Sequence, residues 1–128
     1  MNSHKIRHHN SLLKVQGIYY LLTGIWPVLS METFLWVTGP KSDLWLVIVV
    51  GTLITVNGAT FIYSSLFQKR NIAVGFLAAV MALALAILEI LFYAQGIISP
   101  VYLLDATLEL CLFIVWIAIF RMKTEVRF

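Results

Sequence analysis

Four runs of about 20 mostly apolar residues, separated by short polar breaks, leave this chain little choice of solvent. A helix needs about that length to cross a hydrocarbon core of about 30 Å. The runs extend from about Leu12 to Ser30, Asp43 to Phe67, Ile72 to Ala94 and Val101 to Phe120. Of the 128 residues, 61% are hydrophobic and 12% charged, against about 45–50% and about 25% in a soluble domain. A water-soluble fold of this size could not hide so much apolar surface. The expected fold is all-α, a single four-span transmembrane domain over residues 1–128. Short connections make consecutive spans antiparallel neighbours, so an up-down four-helix bundle is the default topology.

The breaks carry ordinary stop signals. Pro27 is expected to bend or end the first span. Thr38-Gly39-Pro40-Lys41 reads as a turn with Ser42 as the next N-cap. Gln68-Lys69-Arg70-Asn71 is a tight polar link, and Gln95-Gly96-Ile97-Ile98-Ser99-Pro100 closes the last hairpin. The longest connection, Met31 to Ser42, carries Phe34, Leu35, Trp36 and Val37, which suits a short segment lying in the headgroup region. Trp26, Trp36, Trp45, Tyr93 and Tyr102 gather near the same boundary, where interfacial anchoring accounts for them.

Lys and Arg near span ends are retained in the cytoplasm. Lys5, Arg7, Lys14, Lys69, Arg70, Arg121, Lys123 and Arg127 fall on one side, and Lys41 alone on the other. Both termini are therefore expected in the cytoplasm. The net charge of +3 is a basic rim against anionic lipid headgroups rather than a nucleic-acid surface. Span one is read as a retained anchor, since Lys14 and Gln16 interrupt its start and no small-residue cleavage site follows. His4, His8 and His9 lie in a polar segment without Cys or an acidic partner, so they are expected in a mobile tail rather than at a metal. The lone Cys111 can form no internal disulfide and reads as a small core residue.

Membrane helices associate where small residues let backbones approach. Gln16, Gly17, Tyr20, Thr23, Gly24 and Pro27 share one side of span one. Gly51, Thr55, Gly58 and Ser65 do so on span two, and Gly75, Ala78, Ala82 and Ala86 form a small face on span three that runs into Glu89.

Three of the six acids fall inside spans. Glu32 and Asp43 sit at a boundary and Glu125 in the C-terminal tail, whereas Glu89, Asp105 and Glu109 have no Lys, Arg or His at comparable depth. Intramembrane carboxylates are costly and mark a functional site by default. Glu89 is eight residues before Ile97 and Asp105 eight after it, so antiparallel helices set them at one depth. Glu109 follows one turn deeper, about 6 Å, on the same face as Asp105. Two acids cost span four about 5–7 kcal/mol, against about −4 to −7 kcal/mol from its twelve Leu, Ile, Val and Phe residues. Insertion is close to balanced, and the span relies on its neighbours. Three such carboxylates cannot all stay ionised without a counter-charge. They share protons as a coupled set, bond to one another or to Asn57, Thr23 or Tyr20, or accept a cation. That cation is a metal ion, a proton or an organic amine, with tyrosine and tryptophan faces beside it. The expected site is Glu89, Asp105 and Glu109 with Tyr93, Tyr102, Asn57 and Tyr20.

No phosphate loop, zinc-protease helix or serine-hydrolase elbow occurs, and no cofactor is expected. The leading reading is binding or transport of a cation or lipophilic small molecule. Two others stay open: a non-catalytic subunit, as a homo-oligomer or beside another membrane protein, and an acid-base enzyme acting on a lipophile.

Trp26-Pro27, Thr38-Gly39-Pro40-Lys41, Asp43-Leu44-Trp45-Leu46-Val47 with Gly51, and Tyr102-Leu103-Leu104-Asp105 with Glu109 together resemble small bacterial four-span proteins similar to the DoxX-like proteins. The resemblance implies a bacterial inner-membrane four-helix bundle and brings no reaction with it. Small multidrug-resistance transporters differ, because their membrane glutamate lies in span one, where this chain has none. Emopamil-binding and sigma-2-like proteins offer only an analogy, buried acids among aromatics receiving cationic amphiphiles.

Overall fold

The computed structural model describes residues 3–122, so Lys123, Glu125 and Arg127 lie outside the described residues. Five helices follow in order: α1 (Ser3–Leu29), α2 (Met31–Thr38), α3 (Leu44–Phe67), α4 (Ile72–Ala94) and α5 (Val101–Phe120). Among the described residues, α1, α3, α4 and α5 are long and apolar enough to cross a membrane. The protein is a multi-pass, all-α helical bundle in a lipid environment.

Its helices pack as two antiparallel pairs, α1 with α3 and α4 with α5. The α1–α3 seam is a glycine zipper. A Cβ on Gly17 would come within 2.8 Å of Gly58 O, and one on Gly24 within 2.6 Å of Gly51 O. Only absent side chains permit backbones this close. Pro27 does not end α1. It is buried inside the helix, and its ring packs over Gly51.

The two pairs are joined mainly through α1, which touches every other helix, while α3 and α4 barely meet despite their short link. The core is formed by Leu13 and Tyr20 of α1, Phe61 of α3, Ala78 and Ala79 of α4 and Trp116 of α5. Gly75, Ala78, Ala82 and Ala86 are all buried, as a small packing face requires.

Three local expectations are corrected. Helix α1 begins at Ser3, so His4, His8 and His9 belong to its first turns rather than to a tail. His9 is fully buried, edge-on to Trp116 with centroids 5.1 Å apart, in space that the missing side chain of Gly75 provides. The polar character of residues 3–11 hid this, because Lys5 is also buried and donates from Nζ to Met122 O (3.0 Å) and Phe120 O (3.4 Å) at the end of α5. A cation there satisfies carbonyls that the helix leaves unpaired. Cys111 is not in the core but exposed on the outer face of α5 with Leu104, Leu108 and Val115, a set at helical spacing. Asp43, not Ser42, caps α3, and its side chain makes no capping bond.

At the opposite end, α2 is a short helix against α1 and α5. Ser30 caps it, accepting from the Thr33 backbone N–H, and Trp26 meets Phe34 edge-on at 5.5 Å. Ser99 Oγ donates to Thr38 O (2.9 Å), which ties the α4–α5 hairpin to the end of α2.

Candidate functional site

Adjacent tyrosines on α1 reach two acids on α5. Consecutive helical residues diverge by about 100°, so Tyr19 and Tyr20 present their rings in different directions. Asp105 and Glu109, four apart, share one face and stand one turn from each other. The Tyr20 hydroxyl donates to Glu109 Oε2 at 2.7 Å, and both side chains are almost wholly buried. The Tyr19 hydroxyl donates to Asp105 Oδ1, and both residues are half-buried. Each carboxylate thus has its own phenolic donor from the same helix.

Glu89 completes the group from α4. It is half-buried on the helix that packs against α5. Its Oε1 is buried and has no hydrogen-bond partner. Neither α4 nor α5 contains a Lys, Arg or His. A buried acceptor left unpaired is uncommon and costs about 1–3 kcal/mol. Among the described residues, no three His, Cys, Asp or Glu side chains are grouped to hold one metal ion.

One turn from Tyr20, a second polar lock fixes the three helices. Gln16 is fully buried and donates from Nε2 to Ala78 O on α4 (2.9 Å) while accepting from Trp116 Nε1 on α5 (2.7 Å). The alanine face of α4 is what lets a side chain reach that carbonyl. Buried amide and indole groups both find partners, which rigidifies the floor beneath the acids.

Three expected members stand elsewhere. Tyr102 takes the Lys41 ammonium over its ring at 5.1 Å, together with Phe34 at 5.3 Å, so its π-face serves a lysine near α2 rather than a ligand beside the acids. Tyr93 is one turn from Glu89 but 39% exposed, and its hydroxyl donates to none of the three acids. Asn57 spends its amide on Leu53 O of its own helix (2.8 Å). Of the predicted residues, Tyr20 is joined to Glu109 by a hydrogen bond, Asp105 stands one turn away on the same helix, and Glu89 is half-buried on the neighbouring α4. Tyr19, Gln16 and Trp116 also shape the site. Their signal in the sequence was a tandem tyrosine inside a span, and an indole deep in span four that needs an acceptor away from the headgroups.

The arrangement pairs two carboxylates with phenols and leaves Glu89 Oε1 buried without a hydrogen-bond partner. Comparison of the chain with family models, with curated proteins and with solved structures finds no match.

Proposed function

We propose that this protein binds a cationic small molecule, the amine of a lipophile, at Glu89, with Asp105 and Glu109 setting the charge of the site. The observation that carries this reading is the buried, unpartnered oxygen of Glu89 beside two further acids, with no cationic side chain on either helix. An amine supplies both the missing donor and the missing charge, in a hydrogen bond stronger than a neutral one. The Tyr19–Asp105 and Tyr20–Glu109 pairs keep the neighbouring acids hydrogen-bonded while Glu89 receives the guest. An inorganic metal ion fits less well, because the three carboxylates are not gathered for ligation. The distribution of Lys and Arg supports termini on the cytoplasmic side, and the resemblance to DoxX-like proteins supports a bacterial inner membrane.

Thermal unfolding in detergent with a panel of protonated amines and inorganic cations tests the reading. Amines stabilise the wild type in proportion to the logarithm of their concentration above Kd, and Glu89→Gln abolishes the effect. Equal responses in wild type, Glu89→Gln, Asp105→Asn and Glu109→Gln reject it.

A further inference from the structure

We infer that His9 is a proton-operated latch. As the neutral base it holds the first turns of α1 against α4, α5 and the α3–α4 link, and on protonation it lets them go. One stripe of α1, formed by Lys5, His9, Leu13, Gln16 and Tyr20, is buried at helical spacing. Within it only His9 changes charge near neutral pH.

The network around the ring fixes its tautomer. Asn10 Nδ2 donates to Gln68 O (3.0 Å) and Lys69 O (2.6 Å) in the α3–α4 link, which turns Asn10 Oδ1 toward His9 Nδ1 at 3.1 Å. An amide oxygen only accepts, so Nδ1 carries the proton and Nε2 presents a bare lone pair. Nε2 is buried against Gly75 of α4 and has no hydrogen-bond partner, while the ring stands edge-on to Trp116 of α5. Three elements thus meet one neutral imidazole.

A second proton has no place in this pocket. It would add an N–H and a full charge at Nε2, where no acceptor stands. The charged groups on the surrounding elements are cationic: Lys5 one turn earlier in the same stripe, Lys69 and Arg70 in the link that holds Asn10, and Arg121 at the end of α5. Among the described residues, α1 and α3 carry no Asp or Glu. Glu89 is fourteen residues along α4 from Gly75, about 21 Å, and Glu109 is seven residues along α5 from Trp116, about 10 Å. Burying a charge without a counter-charge or a hydrogen bond is prohibitive. Protonation is therefore coupled to withdrawal of His9, and Lys5 leaves the carbonyls of Phe120 and Met122 with it. Residues 3–11 precede the apolar run that starts near Leu12, so the released turns enter water or headgroups rather than hydrocarbon. A histidine in water titrates at about pH 6.5, and above that the latch stays closed. Below it, since the closed form excludes the proton, the ratio of open to closed grows up to about tenfold per pH unit.

The test measures amide hydrogen exchange of the full chain in zwitterionic nanodiscs at about pH 7.5 and about pH 5.5, each rate divided by the intrinsic rate at that pH. Residues 7–13 are read, because the first four N–H groups of a helix have no intrahelical bond. Their normalised exchange should rise about tenfold at the lower pH in the wild type, while residues 54–62 of α3 stay unchanged. His9→Gln should remove the rise. The double variant His4→Gln with His8→Gln, two exposed positions, should keep it. Nitrogen NMR of the histidine-labelled wild type, which depends on no variant folding, should show His9 neutral at the higher pH with its proton on Nδ1. No rise, the same rise in His9→Gln, or slower exchange at the lower pH overturns the latch, as does a proton on Nε2 at the higher pH.

Discussion

Tyr20 and Glu109 form a closed pair, a phenol donating to a carboxylate across 2.7 Å with both side chains almost wholly cut off from the surroundings. Tyr20→Phe deletes the donor and strands the carboxylate, a loss of about 1–3 kcal/mol. Tyr19→Phe should cost less, since its pair with Asp105 is half-buried. Adding Glu109→Leu to Tyr20→Phe removes both polar partners and should restore most of the loss. Denaturant unfolding of these three variants and of Glu109→Leu alone in micelles checks the order, and an additive double mutant would show that the pair is not coupled.

The glycine seam makes a second prediction. Gly24→Ala would place its Cβ 2.6 Å from Gly51 O and 2.7 Å from the Thr55 backbone nitrogen. Backbone cannot swing away as a side chain can, so α1 and α3 must separate, at a cost of about 1–3 kcal/mol or more. Gly58→Ala meets Leu21 N at 2.6 Å and should behave alike. Melting temperatures of both variants should fall clearly below that of Ala59→Gly, a change on an exposed position of the same helix.

His9 and Gly75 should be coupled in the opposite sense. A Cβ on Gly75 would collide with His9 Nε2. Gly75→Ala should therefore destabilise strongly, whereas Gly75→Ala with His9→Ala should be better tolerated than the two single effects add up to. A thermal double-mutant cycle reads the coupling, and simple additivity would contradict the contact.

Lys5 closes the end of α5. Lys5→Met keeps most of the buried stem but loses the ammonium that serves Phe120 O and Met122 O, worth about 0.5–2 kcal/mol. The loss should be local. Hydrogen exchange should quicken in residues 118–122 and stay unchanged around Asp105, and uniform exchange along α5 would disprove a capping role.

Hydropathy and residue counting were enough for the four long apolar helices, because the length of a span follows from rise per residue in a medium of fixed thickness. Partner choice was not legible. Tyr19 and Tyr20 are adjacent letters, and only the docking of α1 beside α5 decides which acid each meets. Tyr102 was expected at the acids because it is aromatic and near them in sequence, yet Lys41 from a different connection lies over its ring. His9 read as a tail residue because burial of a polar side chain depends on a neighbour that lacks one, here Gly75 on another helix. Cys111 read as core because its neighbours Leu110 and Leu112 are apolar, yet it lies about 200° around α5 from the buried Glu109 and so faces away from the core.

The central position of α1 bears on how the molecule is made. A ribosome delivers α1 before α5, so the phenols of Tyr19 and Tyr20 precede the acids Asp105 and Glu109 that they meet. The acids of α5 enter a place where donors are waiting, which eases the insertion of a segment in which two carboxylates offset much of the apolar gain.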